Sequence, residues 1–235
     1  MRKFLVAAVA AVTAIAVAAP IASAQAPATM KVTVTPTKAG TKSKPKNSTI
    51  NLSVRNADTK RTMSKLAITT AKTFKLSTKG LTRCKASVLE TNGAAACPKA
   101  SRVGKGTAEA LVGVNGTSPT PLTFKVTAVV TGAKNLAFDL LGQQLPIHVM
   151  APGTISGNKL TISVPQAAQQ PAPNVFAGLV SLQATMTGKK GTNYLASTTG
   201  CVKKKHPFSS LLTFINNGVS PAGTVTAKAN ARCSK

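Results

Sequence analysis

The sequence contains no tryptophan, one tyrosine and only four carboxylate side chains among its 235 residues. Proteins that bind single-stranded nucleic acids or sugars stack their ligands on aromatic side chains, so the shortage of Trp and Tyr disfavours both functions. The positive charge is mostly Lys, whereas readers of duplex DNA bring Arg to the base edges. We therefore expect no specific nucleic-acid partner.

The acidic residues are Asp58, Glu90, Glu109 and Asp139. Glycoside hydrolysis uses two facing carboxylates, and a calcium site uses several. Asp58 lies in a polar turn and Glu90 lies between two cysteines. Glu109 and Asp139 fall on predicted strands, where we expect them to pair with cations. The sequence thus predicts neither a catalytic carboxylate pair nor an acidic metal site.

Other catalytic patterns are equally weak. His148 is expected at a surface or sheet edge, and His206 is expected in an exposed turn after Lys203–Lys205. No Gly-x-Ser-x-Gly occurs, so a Ser/His/Asp hydrolase is kept only as a third alternative. The Gly-Lys-Gly-Thr segment at 104–107 resembles part of a phosphate loop, but a strand pattern follows it where a helix is required. We expect no enzyme, no metal and no cofactor.

The N-terminus has the pattern of an export signal. Two cations precede an apolar run at Phe4–Ala19, and small residues stand at Ala22 and Ala24. This pattern predicts a signal peptide at 1–24. No other stretch approaches the roughly 20 apolar residues that span a bilayer. We expect a secreted mature chain, 25–235, without a transmembrane segment.

Four cysteines remain after that signal: Cys84, Cys97, Cys201 and Cys233. In an exported protein an even number of cysteines indicates disulfides, and four cysteines allow three connectivities. We favour Cys84–Cys97 and Cys201–Cys233, because each joins neighbouring segments without threading the chain. Zinc is the competing interpretation, but the chain has no Cys-x-x-Cys, and apart from His206 alone after Cys201 neither histidine lies at ligand spacing from a Cys pair.

Hydrophobic residues alternate with polar ones along most of the mature chain, as in antiparallel strands with one buried face. The segment 121–131 is an example, and Gly157-Asn158 is the best candidate for a two-residue hairpin turn. About a dozen such runs predict an all-β fold, an antiparallel β-sandwich of immunoglobulin-like or jelly-roll-like type with two disulfides. The segments 37–48 and 167–174 are predicted loops.

The length suits a single all-β domain over 25–235. The best internal boundary is the Gly-, Pro-, Ser- and Thr-containing stretch Val114–Pro121, which has one cysteine pair on each side. It would divide the domain into sub-lobes 25–116 and 117–235.

Three blocks resemble an uncharacterised group of exported β-rich proteins of soil actinobacteria. They are residues 36–46, residues 84–110, and residues 194–218 with His206-Pro207-Phe208. The most specific feature is the Cys-Pro-x-x-Ser-x-Val-Gly-x-Gly block at Cys97–Gly106. The resemblance implies a secreted, disulfide-containing β-fold and brings no activity with it.

Charge gives the leading functional hypothesis. Without the signal the chain has 28 basic and four acidic residues, and residues 31–105 alone carry a net charge of +15. Such a field attracts polyanions. We expect a non-catalytic protein held at the cell envelope by anionic cell-wall polymers or lipid head groups. The lysines expected to bind them are Lys38, Lys42, Lys44, Lys46, Lys203, Lys204 and Lys205.

The alternative hypothesis is an extracellular carrier of a small apolar ligand or lipid. Apolar segments at Leu136–Leu141 and Leu145–Met150 could line a pocket for it. A carrier of this kind requires an internal apolar cavity of at least about 300 Å³.

Overall fold

The computed structural model describes residues 28–114 and 119–234. The expected signal peptide at 1–24 lies outside the described residues, as do residues 115–118 of the expected boundary. Strands make up 57% of the structure and helices 8%, which confirms the all-β prediction. Within these ranges, no helix has the length and apolar character that crossing a bilayer would require.

Sixteen strands are formed in the described residues. They are β1 (Thr29–Thr35), β2 (Lys46–Asn47), β3 (Thr49–Arg55), β4 (Met63–Thr70), β5 (Phe74–Leu76), β6 (Arg102–Val114), β7 (Thr120–Val130), β8 (Asn135–Gly142), β9 (His148–Ser156), β10 (Lys159–Ser163), β11 (Val175–Met186), β12 (Lys189–Lys190), β13 (Asn193–Tyr194), β14 (Ala196–Thr198), β15 (Lys205–Phe214) and β16 (Gly223–Arg232). Two α-helices accompany them, α1 (Ala86–Asn92) and α2 (Gln166–Gln169), with 3-10 turns at Ala94–Ala96 and Lys99–Ser101.

Eleven strands form one antiparallel sheet in the order β1-β3-β11-β6-β7-β8-β9-β10-β4-β15-β16. The sheet curls until its edge strands β1 and β16 lie side by side. Just beyond both strands, Lys38 pairs with Ser234 in a parallel bridge. The result is a nearly closed, barrel-like sheet rather than a clear sandwich of two sheets. Strands that precede residues 115–118 and strands that follow them are intermixed in this order.

The alternation of apolar and polar residues along each strand determines which side chains form the core. In β7, Leu122, Phe124 and Val126 are buried inside the sheet, while Lys125 between them is exposed. The same rule holds along β1, β3 and β15. The predicted hairpin is also formed: Ser156 pairs with Lys159, and Gly157 takes the positive φ of 60° that the turn requires.

The disulfides are Cys84–Cys97 and Cys201–Cys233, as predicted. The first closes the segment that carries α1, which packs against the outside of the sheet through Leu89 on Val129 and Ala137. The segment 167–174 was predicted to be a loop throughout. Its first residues instead belong to the single helical turn α2. The Gln169 side chain holds this turn by donating to the Val164 carbonyl at 2.6 Å.

Candidate functional site

Because the strands are antiparallel, the connecting segments gather at two opposite ends of the barrel. Segments 36–48, 71–83, 131–134 and 187–204 lie at one end, which we call the basic end. Segments 56–62, 143–147, 164–174 and 215–222 lie at the other, which we call the cavity end. The two ends differ in both charge and packing.

Packing inside the barrel loosens toward the cavity end. On β6, Ala108 is buried, but the next interior positions, Ala110 and Val112, are only half-buried. On β8, Phe138 is buried and Leu140 is half-buried. These side chains point inward and still reach solvent, so the interior is not filled at this end.

The unfilled space is a cavity of about 280 Å³. Every residue that lines it is Ala, Val, Leu, Ile, Met, Phe or Pro, and Leu145, Ile147, Val164 and Pro171 of the connecting segments border it. The other half of the interior is packed and leaves a void of about 20 Å³. Six of the lining residues are alanines, whose small side chains leave the space open: Ala108, Ala110, Ala151, Ala167, Ala168 and Ala177.

The rim of the cavity carries almost no charge. The four segments of the cavity end contain Asp58, Lys60 and Arg61 as their charged residues. Arg61 is buried, with its guanidinium 4.3 Å from the Phe214 ring centre and a hydrogen bond to the Pro221 carbonyl at 3.0 Å. Its charge therefore serves the packing of the loops rather than the mouth of the cavity.

The basic end has the opposite character. Its four segments contain thirteen Lys and Arg side chains and no carboxylate, and all thirteen are exposed. In the described part of the chain, no Lys or Arg forms an ion pair with a carboxylate. The thirteen are Lys38, Lys42, Lys44, Lys46, Lys72, Lys75, Lys79, Arg83, Lys134, Lys189, Lys190, Lys203 and Lys204.

Six of the seven lysines predicted to bind polyanions are in this set, and the seventh, Lys205, is exposed at the start of β15. Backbone hydrogen bonds bring their two groups together. Cys233 donates to the Lys204 carbonyl at 3.0 Å, and the next residue, Ser234, donates to the Thr37 carbonyl at 2.8 Å. The lysine segment 36–48 and Lys203–Lys205 therefore lie on either side of the same C-terminal strand extension.

Lys203 and Lys204 occupy an unfavourable backbone conformation. They form a two-residue turn with φ of 48° and 61°, closed by reciprocal hydrogen bonds between Val202 and Lys205. Asn and Gly are the residues that suit such a turn, and Lys is strained there. Lysine at both positions is unfavourable for folding and places two charges at the surface.

The structure contradicts the prediction that His206 lies in an exposed turn. The turn ends at Lys205, so His206 is the first inward residue of β15 and is fully buried. Its ring meets Phe74 edge-on at a centroid distance of 5.6 Å, and neither ring nitrogen has a hydrogen-bond partner among the described residues. Burial lowers the pKa of His206 below its ordinary value of 6.5.

Asp139 and His148 form a pair that the sequence did not reveal. The Nε2 atom of His148 lies 2.5 Å from Oδ1 of the buried Asp139, and Oδ2 accepts the backbone N–H of Ala94 at 3.1 Å. Asp139 was expected to pair with a cation such as Lys. It instead binds the segment closed by the first disulfide to β8. Glu109 was also expected to pair with a cation, and it accepts a hydrogen bond from Ser181 at 3.0 Å.

Within the described ranges, no group of three or more His, Cys, Asp or Glu side chains is placed to hold a metal ion. No family model, curated protein or solved structure matches the chain.

Proposed function

We propose that this protein is a non-catalytic, exported binding protein whose barrel holds a small, uncharged apolar ligand in the cavity. The observation that carries the proposal is the wholly apolar cavity of about 280 Å³ opening at one end of the barrel. Its volume is just below the lower end of the range for ligand pockets, the value of about 300 Å³ that we expected a carrier to require.

The size of the cavity defines the ligand class. An apolar cavity of about 150 Å³ stays dry and binds benzene, so the present one suits a ligand of roughly ten carbon atoms. With no polar lining residue and a nearly uncharged rim, it offers nothing to a charged or strongly polar ligand. A medium-length alkyl chain or a compact hydrocarbon fits this description.

The test uses the uncharged fluorescent probe naphthalene, whose size matches the ligand class, displaced by 1-decanol, so that the net charge of the protein does not influence the result. The double variant Ala110→Leu/Ala177→Leu places two larger side chains in the cavity. We expect it to weaken binding at least tenfold while keeping or raising the melting temperature, because it fills empty space.

The matched control is Ala86→Leu, which adds the same side chain at an exposed position on α1, outside the sheet. It should bind the probe like the unmodified protein. Equal binding by the double variant, or no saturable binding by the unmodified protein, would contradict the proposal. Organic extraction and mass spectrometry of the purified protein would identify a ligand retained from the cell.

A second proposed function is retention at the cell envelope by anionic wall polymers or lipid head groups. It is favoured by the thirteen exposed cations of the basic end and by the strained Lys203–Lys204 turn. The two functions use opposite ends of the barrel and are compatible. The two disulfides suit the oxidising environment outside the cell.

A further inference from the structure

Part of the basic end forms an open groove. Five cations line this groove of about 800 Å³: Lys72, Lys75, Lys79, Arg83 and Lys134. None of them belongs to the lysine set predicted from the sequence. The lining residues include no carboxylate, and the hydroxyl-bearing residues Ser77, Thr78 and Thr199 also line the groove.

The groove is held by backbone hydrogen bonds between separate parts of the chain. Strand β5, which carries Lys75, pairs with β14. The N–H of Cys84, next to Arg83, donates to the Val130 carbonyl at 2.9 Å at the end of β7. The Lys134 carbonyl accepts the N–H of Ile155 at 2.7 Å. The cations thus extend from backbone that is fixed by the sheet and the first disulfide.

The electrostatics of the groove favour an anion. Its floor includes Phe74 and Ile155, which are buried, and the half-buried Leu76. A cleft of one sign of charge with low-dielectric walls concentrates the field and raises the local concentration of counter-ions. Five cations without a carboxylate also repel one another, and a bound multivalent anion would relieve that repulsion.

We propose that this groove is a discrete site for one multivalent phosphate-bearing ligand. Arg83 offers a planar fork that matches phosphate oxygens, and the lysines supply point charges around it. The number of cations matches a ligand with several phosphate charges better than one with a single charge. The site requires neither an apolar ligand in the cavity nor retention at the envelope.

The experiment is isothermal titration calorimetry with tripolyphosphate in about 0.15 M salt, where diffuse surface attraction is screened beyond about 8 Å. The groove variant is Lys72→Gln/Lys75→Gln/Lys79→Gln/Arg83→Gln. The matched control is Lys38→Gln/Lys42→Gln/Lys44→Gln/Lys46→Gln, which removes the same charge from a neighbouring segment of the same end. Melting curves verify that both variants are folded.

We expect one tripolyphosphate per chain for the unmodified protein and the control, and at least tenfold weaker binding by the groove variant. The single variant Lys134→Glu, on a different segment, should also weaken binding. Tripolyphosphate should raise the melting temperature of the unmodified protein, because it binds the folded state. Equal weakening in both quadruple variants would overturn the proposal in favour of diffuse attraction. Equally tight binding of citrate would overturn the assignment to phosphate.

Discussion

The backbone N–H of Cys233 donates to the carbonyl of Lys204 at 3.0 Å, so the C-terminal strand extension is fixed to the lysine turn. The same cysteine is bonded to Cys201, on the other side of that turn. The chain is therefore fixed on both sides of Lys203 and Lys204. This holds the two lysines in a conformation that they would not adopt readily by themselves.

The turn offers a test in which stability and binding change in opposite directions. Replacing the pair by Asn-Gly, as Lys203→Asn/Lys204→Gly, should raise the free energy of unfolding by about 1 kcal/mol, because these residues accept positive φ at little cost. The same change removes two charges from the basic end and should weaken binding to a polyanion. Urea unfolding measures the first effect and binding to an anionic resin the second.

The control for this variant is Lys189→Asn/Lys190→Gly, which removes two charges from the basic end at positions with no positive φ. It should weaken resin binding similarly without increasing stability. A destabilised Lys203→Asn/Lys204→Gly protein would show that the turn is not strained.

Retention at the envelope predicts a salt-dependent association with cell walls. The protein should sediment with walls at low salt and be released near 1 M salt, where the screening length is about 3 Å. Replacing Lys38, Lys42, Lys44 and Lys46 by Gln should move release to lower salt. Folding should be unaffected, since these exposed side chains contribute little to the core.

Four exposed lysines on the outer faces of strands, Lys31, Lys105, Lys125 and Lys228, provide the matched control. Their replacement by Gln lowers the net charge equally but leaves the basic end intact, so the shift in release should be smaller. Equal shifts would mean that net charge alone acts, and sedimentation that ignores salt would contradict electrostatic retention.

The burial of His206 predicts that the folded protein loses stability in acid. Since burial lowers the pKa of this side chain in the folded protein, the unfolded chain binds a proton more readily below pH 6.5. The contribution to stability is complete above that pH and is lost as the pH falls toward the lowered pKa. The slope can reach about 1.4 kcal/mol per pH unit. Unfolding by urea between pH 4.5 and 7.5 would measure it.

The variant His206→Phe keeps an aromatic ring against Phe74 and removes the titrating group, so its stability should depend less on pH in this range. The control Phe208→Leu changes another buried ring that contacts Phe74 and removes no titrating group, so it should retain the contribution of His206. An unchanged acid dependence in His206→Phe would refute the assignment.

Local features of the fold follow from local sequence. Alternation correctly placed Leu122, Phe124 and Val126 in the core, because it depends only on the direction of successive side chains. Gly157-Asn158 correctly predicted the hairpin, because the turn depends only on local φ angles. Barrel-like closure was not predictable in this way. A sandwich strand and a barrel strand both bury one face, so the same alternation serves either, and strand order depends on distant pairings.

The sites illustrate the same limit. Ala110 and Ala177 have the pattern of ordinary interior residues, and only their half-burial in the assembled sheet reveals the cavity. The run Lys203–Lys205 predicted an exposed His206, because a turn made of two lysines has no recognisable sequence signal. Lys134 is distant in sequence from the segment 72–83. The hydrogen bond from the Cys84 N–H to the Val130 carbonyl brings the two close together.

The thirteen cations of the basic end and the nearly uncharged cavity end make the charge distribution of the barrel asymmetric along its axis. In the field of an anionic surface, this asymmetry would turn the thirteen cations toward the surface. The cavity mouth would then face the surrounding medium, where an apolar ligand could enter or leave without displacing the protein from its support.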